Sequence, residues 1–281
     1  MRAACVIGWP VEHSRSPLIH NYWLKHYAID GEYRRELVPR EEFASFVRSL
    51  PARGYVGANV TVPHKEAALA LADPDEQARA VGAVNTLWFA DGALQSTNTD
   101  VEGFLENLDA CVPQWETNAG DALVLGAGGA ARAVIYGLLA RGLKQVLVAN
   151  RTPARAEAMR RTFGERVRPV RWDGIAAALP DMALLVNTTT LGMKGQPDLV
   201  IDIARLPERA IVADLVYVPV LTPLLLAAKS RGLRTADGLG MLLHQAVRGF
   251  ALWFGTTAEV TPQLRALIEA DIGVSSRDIG G

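Results

Sequence analysis

A glycine-rich turn between a predicted strand and a predicted helix constrains the fold of this chain more than any other feature. The apolar run DALVLG (121–126) predicts a strand, and the Gly/Ala-rich segment after it predicts a helix. Gly126, Gly128 and Ala131 fit the spacing G-x-G-x-x-(G/A). A glycine permits the tight turn at the first position and close backbone approach at the second, and the small third residue lets the helix pack on the strand.

The position of this turn gives the glycine spacing its meaning. The free N–H groups at the start of the following helix can bind phosphate groups. A tight turn without any ligand is the alternative interpretation. Because the spacing lies between a strand and a helix, we predict a dinucleotide-binding site there.

The end of the next predicted strand, QVLVAN (145–150), indicates which dinucleotide is bound. An NAD-binding fold usually has an acidic residue about 20 positions after the glycine turn, where it binds the ribose 2′-hydroxyl. This chain instead has Asn150, Arg151, Thr152 and Arg155. Guanidinium groups suit a 2′-phosphate, although an arginine at a helix start can also be a solvated surface residue. The sequence therefore predicts NADP rather than NAD.

Strands and helices alternate along much of the chain, which predicts an α/β protein with parallel sheets. Ser16 is predicted as the N-cap of the first helix, with Pro17 at its first position. The less apolar segment 105–120 separates two α/β blocks, and we place a domain boundary near residue 101. The predicted strands are 3–8, 57–62, 121–126, 145–150, 182–188 and 210–216, and the predicted helices besides the one after the glycine turn are 16–30, 222–232, 240–255 and 261–272.

Composition excludes several classes of function. The net charge of −1 gives no reason to expect a nucleic-acid or anionic-membrane surface. The two cysteines, Cys5 and Cys111, are far apart and indicate neither a disulfide framework nor a zinc site. No run approaches the roughly 20 apolar residues of a membrane span, and the N-terminal apolar run is too short for a signal peptide. We expect a soluble cytoplasmic protein, and either a monomer or a homodimer fits.

Polar residues follow several predicted strands of the N-terminal block, where open α/β sheets bind ligands. They lie in the segments HSRSP (13–17), NVTVPHK (59–65), GAVNT (82–86) and STNTD (96–100). Their hydroxyl, amide, ammonium and carboxylate groups suit a small polyhydroxylated substrate. The candidate residues are Ser14, Ser16, Asn59, Thr61, Lys65, Asn85 and Asp100.

Each of these residues also has an ordinary structural interpretation. The serines can be turn or N-cap residues, Asn85 and Asn98 turn residues, and Asp100 the cap of a following helix. Thr61 can be an ordinary strand residue, and Lys65 a surface residue in a first helical turn. Only their joint presence at strand ends favours a binding site.

Lys65 and Asp100 together suit proton transfer. Hydride transfer to a ketone produces an alkoxide, which needs a proton that a lysine can donate and take back in the reverse direction. A nearby carboxylate would hold the ammonium group in place. The sequence leaves their contact untested.

Taken together, the motifs resemble those of the shikimate dehydrogenase family over roughly residues 5–254. The segments that carry the resemblance are GWPVEHSRSPLIHN (8–21), GANVTVPHK (57–65), GAVNT (82–86), NTDVEGF (98–104), GAGGAARA (126–133), NRTPARA (150–156), DLVYVPVLTPLL (214–225) and DGLGMLLHQA (237–246). The resemblance implies reversible NADPH-dependent reduction of 3-dehydroshikimate to shikimate, a step of chorismate and aromatic amino-acid biosynthesis. It also implies a substrate-binding catalytic domain at 1–101, completed by C-terminal helices at 239–281, and a Rossmann NADP-binding domain at 102–238.

The resemblance also implies roles for individual residues. Lys65 and Asp100 would be the catalytic pair, with Lys65 as acid/base, and Ser14 and Ser16 would hold the substrate carboxylate. The implied substrate-binding residues are Ser14, Ser16, Asn59, Thr61, Lys65, Asn85, Asp100, Tyr217 and Gln245. The implied cofactor-binding residues are Gly126, Ala127, Gly128, Gly129, Ala130, Asn150, Arg151, Thr152, Arg155, Leu215 and Gly238. The chain departs from the family where Val218 follows Tyr217, since an asparagine is common there.

Three other functions compete with this interpretation. A quinate/shikimate dehydrogenase of broader specificity often uses NAD and carries an acidic residue where this chain has Arg151. A catalytically silent NADP-binding homologue would be expected to lose Lys65 or Asp100. A one-carbon folate dehydrogenase also joins a Rossmann domain to a domain with a lysine, but it would not explain HSRSP together with NTD.

Overall fold

The protein folds into two compact units in the computed structural model, which describes residues 2–118 and 120–273. The first unit is the chain up to Asp100 together with Gln245–Ile268, and the second is Val101–His244 together with the described residues from Glu269 onward. Residues 1, 119 and 274–281 of the predicted domains lie outside the described residues. The assignment of domains with boundaries at 101 and 239 stays a prediction.

The first unit contains a mixed six-stranded sheet, whereas the sequence pattern predicts parallel sheets. The spatial order of its strands is β2-β1-β3-β5-β6-β4. Strands β1, β2 and β3 are parallel, but β5 runs antiparallel to both β3 and β6. The strands are β1 (Arg2–Gly8), β2 (Gly31–Leu37), β3 (Tyr55–Val60), β4 (Asp73–Pro74), β5 (Thr86–Ala90) and β6 (Ala93–Thr97).

A two-residue turn explains why this sheet contains an antiparallel strand as well as the parallel strands that the sequence pattern predicts. Asp91 and Gly92 connect β5 to β6, and both have positive φ angles, of 51° and 79°. Asp-Gly in this conformation is a strong hairpin signal, because its twist matches that of the flanking strands. The reversal aligns Asn59 of β3 with Thr86 of β5, and Thr86 with Thr97 of β6. The end of β3, the start of β5 and the end of β6 therefore meet at one edge of the sheet.

The helices of the first unit differ from the sequence prediction in their bounds. Helix α1 begins with Ser16 as its first residue, and Arg15 is the N-cap, so the prediction of Ser16 as cap is wrong. It ends at His26, because Gly31 already starts β2, a strand whose charged, half-exposed sequence hides its pattern. The short helices of this unit are α2 (Phe43–Ser49), α3 (Lys65–Ala68) and α4 (Glu76–Val81).

The second unit contains a six-stranded sheet in which every pairing is parallel. Its spatial order is β12-β11-β10-β7-β8-β9, so the first strand of the unit lies in the middle and the chain winds outward twice. This is the order of the doubly wound dinucleotide-binding fold. The strands are β7 (Asp121–Leu125), β8 (Val146–Ala149), β9 (Val167–Val170), β10 (Met182–Asn187), β11 (Ile211–Asp214) and β12 (Arg234–Ala236).

Two apolar clusters cover the two faces of this parallel sheet, as its near-continuous apolar strands predict. The sequence analysis missed β9 and β12, which are short and carry arginine or proline. Part of the predicted separator 105–120 is helix, since α5 extends to Cys111. The helix predicted over 222–232 begins with Thr222 as its N-cap, because the Thr222 hydroxyl accepts a hydrogen bond from the Leu225 N–H at 3.3 Å. The remaining helices are α5 (Asp100–Cys111), α6 (Gly129–Ala140), α7 (Pro153–Phe163), α8 (Ile175–Ala178), α9 (Pro223–Ser230), α10 (Gly238–Phe254) and α11 (Pro262–Asp271).

Across the described residues, no helix combines the length and apolar character that crossing a membrane requires.

A buried carboxylate organises the loops at the carboxyl edge of this second sheet. Asp214 ends β11 and is 1% exposed. Its Oδ1 accepts hydrogen bonds from Asn187 Nδ2 at 2.9 Å and Val216 N at 3.0 Å, and its Oδ2 accepts one from Thr222 Oγ1 at 2.7 Å. Burial raises the pKa of Asp214 to about 6, although these three donors act in the opposite direction. Asp214 thus holds the segments after β10 and β11 together, at the cost of a buried charge.

This raised pKa predicts a pH dependence of stability. The pKa of Asp214 is near 4 in the unfolded state and about 6 in the folded state. Between these pH values the folded state binds the proton more tightly, so the stabilisation that protonated Asp214 contributes is lost as pH rises. We expect the free energy of unfolding of the wild type, relative to Asp214→Asn, to fall by about 1 kcal/mol between pH 5 and pH 8. Urea unfolding at both pH values measures it, with the exposed Asp181→Asn as control. A difference that stays constant with pH would contradict the prediction.

Candidate active site

An ion pair lies at the edge where β3, β5 and β6 meet. Lys65 is the first residue of α3 and Asp100 the first residue of α5, so each follows a strand that ends at this edge. Lys65 Nζ donates a hydrogen bond to Asp100 Oδ2, and the two side chains are 17% and 8% exposed. Largely buried ionic groups require good partners, since both have lost most of their hydration. The ordinary interpretation of Lys65 as a solvated surface residue does not fit this environment.

Asn85 holds the carboxylate in place. Its Nδ2 donates to Asp100 Oδ1 at 2.9 Å and to Thr99 Oγ1 at 3.0 Å, while its Oδ1 accepts from the Thr99 N–H at 2.7 Å. Both oxygens of Asp100 therefore have a partner, one ammonium and one amide. The predicted pair and Asn85 form one connected group.

Asn59 extends this group along the sheet edge. Its Nδ2 donates to the Asn85 carbonyl oxygen at 3.1 Å and to Thr86 Oγ1 at 3.2 Å. Thr86 and Thr99 were not predicted as site residues, although both lie in quoted segments. The Asp-Gly turn, which shows that β5 and β6 form a hairpin, is the sequence signal that could have placed them beside Asn59 and Asn85.

For the other predicted substrate residues, the structure gives the burial of each side chain and the unit to which it belongs. Ser14 is half-buried, and its Oγ accepts a hydrogen bond from the Ser16 N–H at 3.3 Å, which is a turn-like contact. Ser16 is 6% exposed and Gln245 8% exposed, and both lie in the first unit. Thr61 is half-buried immediately after β3, and Tyr217 belongs to the second unit, so a contact between Tyr217 and this group stays a prediction.

The glycine-rich turn of the second unit has the form that a bound pyrophosphate requires. Gly126 has a φ of +107°, and a Cβ there would lie 2.5 Å from Thr188 Oγ1, so only glycine fits. Gly128 is exposed at the N-cap of α6, and a Cβ there would meet no atom within 4 Å. The first N–H groups of a helix have no partner within the helix itself. The open space above Gly128 and these N–H groups of α6 fit a phosphate group.

The predicted 2′-phosphate residues surround the start of α7. Thr152 is the N-cap, yet its side chain makes no capping hydrogen bond, and Asn150 Nδ2 donates to the Thr152 carbonyl oxygen at 2.9 Å. Arg151 and Arg155 are exposed. Two guanidinium groups and a hydroxyl therefore lie at one helix start, which suits a phosphate better than a ribose hydroxyl.

Leu215 and Gly238, both predicted as cofactor-binding residues, lie against each other. A Cβ at Gly238 would be 2.3 Å from the Leu215 carbonyl oxygen, so a side chain there would displace the backbone. Within the part of the chain that the structure describes, no group of three or more His, Cys, Asp or Glu residues could hold a metal ion.

Three family models match the chain in order. They are the shikimate dehydrogenase substrate binding domain at 6–87, the shikimate/quinate 5-dehydrogenase model at 112–205 and the shikimate 5′-dehydrogenase C-terminal domain at 238–268. A relative from Rhodopseudomonas palustris strain TIE-1, named shikimate dehydrogenase (NADP(+)), is 64% identical over 271 residues, which are 96% of this chain and 97% of the relative.

Two solved structures are similar to the whole chain. Shikimate 5-dehydrogenase from Thermus thermophilus, in complex with NADP(H) and shikimate, has a TM-score of 0.86 and 37% identity, covering 97% of this chain and 100% of that one. Quinate dehydrogenase from Corynebacterium glutamicum, in complex with NAD, has a TM-score of 0.87 and 32% identity, covering 95% and 98%. With three matched models and a close relative over nearly its full length, the chain belongs to the shikimate dehydrogenase family.

Proposed function

We propose that this protein catalyses the reversible NADPH-dependent reduction of 3-dehydroshikimate to shikimate, in chorismate and aromatic amino-acid biosynthesis. The observation that carries the proposal is the largely buried Lys65–Asp100 pair, held by Asn85 at the edge of the first sheet. A doubly wound second unit with a glycine turn and an arginine pair supports the cofactor. Relatives named shikimate dehydrogenase (NADP(+)) support the reaction.

NADPH, when bound, supplies a hydride to the substrate carbonyl carbon. The carbonyl oxygen then carries a negative charge, and the ammonium group of Lys65 gives it a proton. Asp100 accepts a hydrogen bond from Lys65 and so directs the ammonium, while Asn85 prevents the carboxylate from rotating. In the reverse direction, neutral Lys65 takes the proton of the shikimate hydroxyl.

In this proposal, the remaining site residues bind and orient the substrate and the cofactor. We assign the substrate to Ser14, Ser16, Asn59, Thr61, Lys65, Asn85, Asp100, Tyr217 and Gln245, with the serines at the carboxylate. We propose that the backbone of residues 126–130 binds the pyrophosphate of NADP. The 2′-phosphate would be bound by Asn150, Arg151, Thr152 and Arg155. Leu215 and Gly238 border the nicotinamide in this proposal.

Fold similarity alone does not separate this activity from that of a quinate dehydrogenase, since both solved structures match closely. Arg151 and Arg155, in place of an acidic residue, favour NADP. The intact Lys65–Asp100 pair disfavours a silent homologue. A cytoplasmic location, and a monomer or homodimer as the assembly, remain predictions.

The deciding experiment is an absorbance assay of reduced nicotinamide that crosses shikimate and quinate with NADP and NAD. We expect turnover to be fastest with shikimate and NADP. Equal or faster turnover of quinate with NAD would replace the proposed function by the broader one, and no turnover with any pair would favour the silent homologue.

Removal of the Lys65 ammonium tests the catalytic assignment. Lys65→Ala is expected to lower kcat by about 10²–10⁴-fold, because the proton donor is lost. The Kd for shikimate should change little. Steady-state kinetics and calorimetry measure the two quantities, and Lys25→Ala, at an exposed lysine of α1, is the control. A kcat near that of the wild type would exclude Lys65 as the acid/base.

Arg151 tests the choice of cofactor. Arg151→Ala is expected to raise the KM for NADPH by about 10–100-fold, because a charge-assisted contact with the 2′-phosphate is lost. The KM for NADH should stay within about twofold, since NADH lacks that phosphate. Arg161→Ala, at an exposed arginine in the last turn of α7, is the control. An equal loss with both cofactors would mean that Arg151 does not recognise the phosphate.

A further inference from the structure

The hydroxyl of Tyr33 contacts Asn59, one of the predicted substrate-binding residues. Tyr33 lies in the middle of β2 and is 3% exposed. Its hydroxyl donates a hydrogen bond to Asn59 Oδ1 at 2.6 Å, and Asn59 is itself 5% exposed. None of the sequence motifs singles out Tyr33.

The partners of Asn59 determine which way its amide faces. Asn59 Nδ2 lies 3.1 Å from the Asn85 carbonyl oxygen, which can only accept a hydrogen bond. The amide nitrogen must therefore face Asn85, and Oδ1 must face Tyr33. Burial raises the pKa of the Tyr33 hydroxyl well above its ordinary value, so the hydroxyl keeps the proton that it donates.

The ring and backbone of Tyr33 are both held in place. The Asn21 side chain donates to the Tyr33 carbonyl oxygen and accepts from the Tyr33 N–H, each at 2.9 Å. The His20 ring stacks on the Tyr33 ring with 4.2 Å between centroids and 16° between planes. Burial lowers the pKa of His20 to about 3, so the stacked imidazole is neutral. The hydroxyl thus has a fixed direction.

We propose that Tyr33 is a positioning residue that locks the Asn59 amide, so that Asn59 presents only an acceptor, its Oδ1, to a hydroxyl group of the substrate. Both hydrogens of Nδ2 are directed at Asn85 and Thr86, which leaves Asn59 no donor for a carboxylate. The inference rests on the proposed function and deepens it, because it assigns a ring hydroxyl rather than the carboxylate to Asn59. Without Tyr33, Oδ1 would lose its donor, and the amide would lose one of the hydrogen bonds that hold it in place.

Tyr33→Phe tests this inference, since it removes the hydroxyl and keeps the ring. We expect the KM for shikimate to rise about tenfold, with kcat within about twofold and the KM for NADP unchanged. A purely structural role would lower the melting temperature without this selective change in KM. Tyr55→Phe is the matched control, because the Tyr55 hydroxyl lies in the same sheet and bonds Glu36. An unchanged KM for shikimate in Tyr33→Phe would overturn the inference.

A double-mutant cycle with Asn59→Ala shows whether Tyr33 acts through Asn59. In the Asn59→Ala background, Tyr33→Phe should raise the KM for shikimate no further. A second tenfold rise would overturn the inference, because Tyr33 would then act by another route, such as the hydrogen bond that it also shares with the Ser16 side chain. Asn59 Oδ1, the acceptor that Tyr33→Phe would leave without this donor, is absent from both Asn59→Ala and the double variant, so their comparison decides the question even if Tyr33→Phe alone does not fold.

The wild-type assay distinguishes a failure of the proposed function from a failure of the role proposed for Tyr33. Shikimate-dependent reduction of NADP with an unchanged KM in Tyr33→Phe would overturn only the role of Tyr33. A wild type that is inactive on shikimate would overturn the proposed function and this inference with it.

Discussion

The site depends on one constraint, which is that a carboxylate can be buried beside an ammonium only when every oxygen has a partner. Asp100 meets it with Lys65 on one oxygen and the Asn85 amide on the other. Asn85 in turn accepts a hydrogen bond from the Thr99 N–H, and its own backbone N–H donates to the carbonyl oxygen of Thr97 at the end of β6, so the ion pair is tied to the end of the sheet. This anchoring gives the lysine a defined position, which proton transfer requires.

The hairpin in the first sheet makes this anchoring possible. If β3, β5 and β6 all ran parallel, each would be joined to the next by a long crossover connection. The start of β5 and the end of β6 would then lie at opposite edges of the sheet. The Asp91–Gly92 turn instead returns the chain at once, so Asn85 before β5 and Thr99 after β6 lie side by side. The second unit keeps an all-parallel sheet, whose carboxyl edge carries the glycine turn and the Asp214 network.

Much of the second unit could be predicted from sequence, because apolar strands and a glycine turn are local signals. Position 126 requires a glycine because its φ is positive and because a side chain there would collide with Thr188. The spacing of the glycine motif implies such a tight turn. The hydrogen bonds of the first unit could not be predicted in the same way, since Tyr33 and Asn59 are far apart in sequence and meet only through the pairing of β1 with β2 and β3. Short edge strands such as β12 carry too few apolar residues to give a pattern.

The direction of the hydrogen bonds gives the first-unit network a further property. The Tyr33 hydroxyl donates to Asn59, the Asn59 amide donates to the Asn85 carbonyl, and the Asn85 amide donates to Asp100. These three hydrogen bonds lead from Tyr33 to the carboxylate, and neighbouring hydrogen bonds polarise one another in a low-dielectric interior. Such a chain strengthens the hydrogen bonds that hold the Asp100 carboxylate, and this carboxylate in turn holds the Lys65 ammonium. In the proposed reaction, the Lys65 ammonium therefore has a fixed position from which it can give its proton to the substrate oxygen.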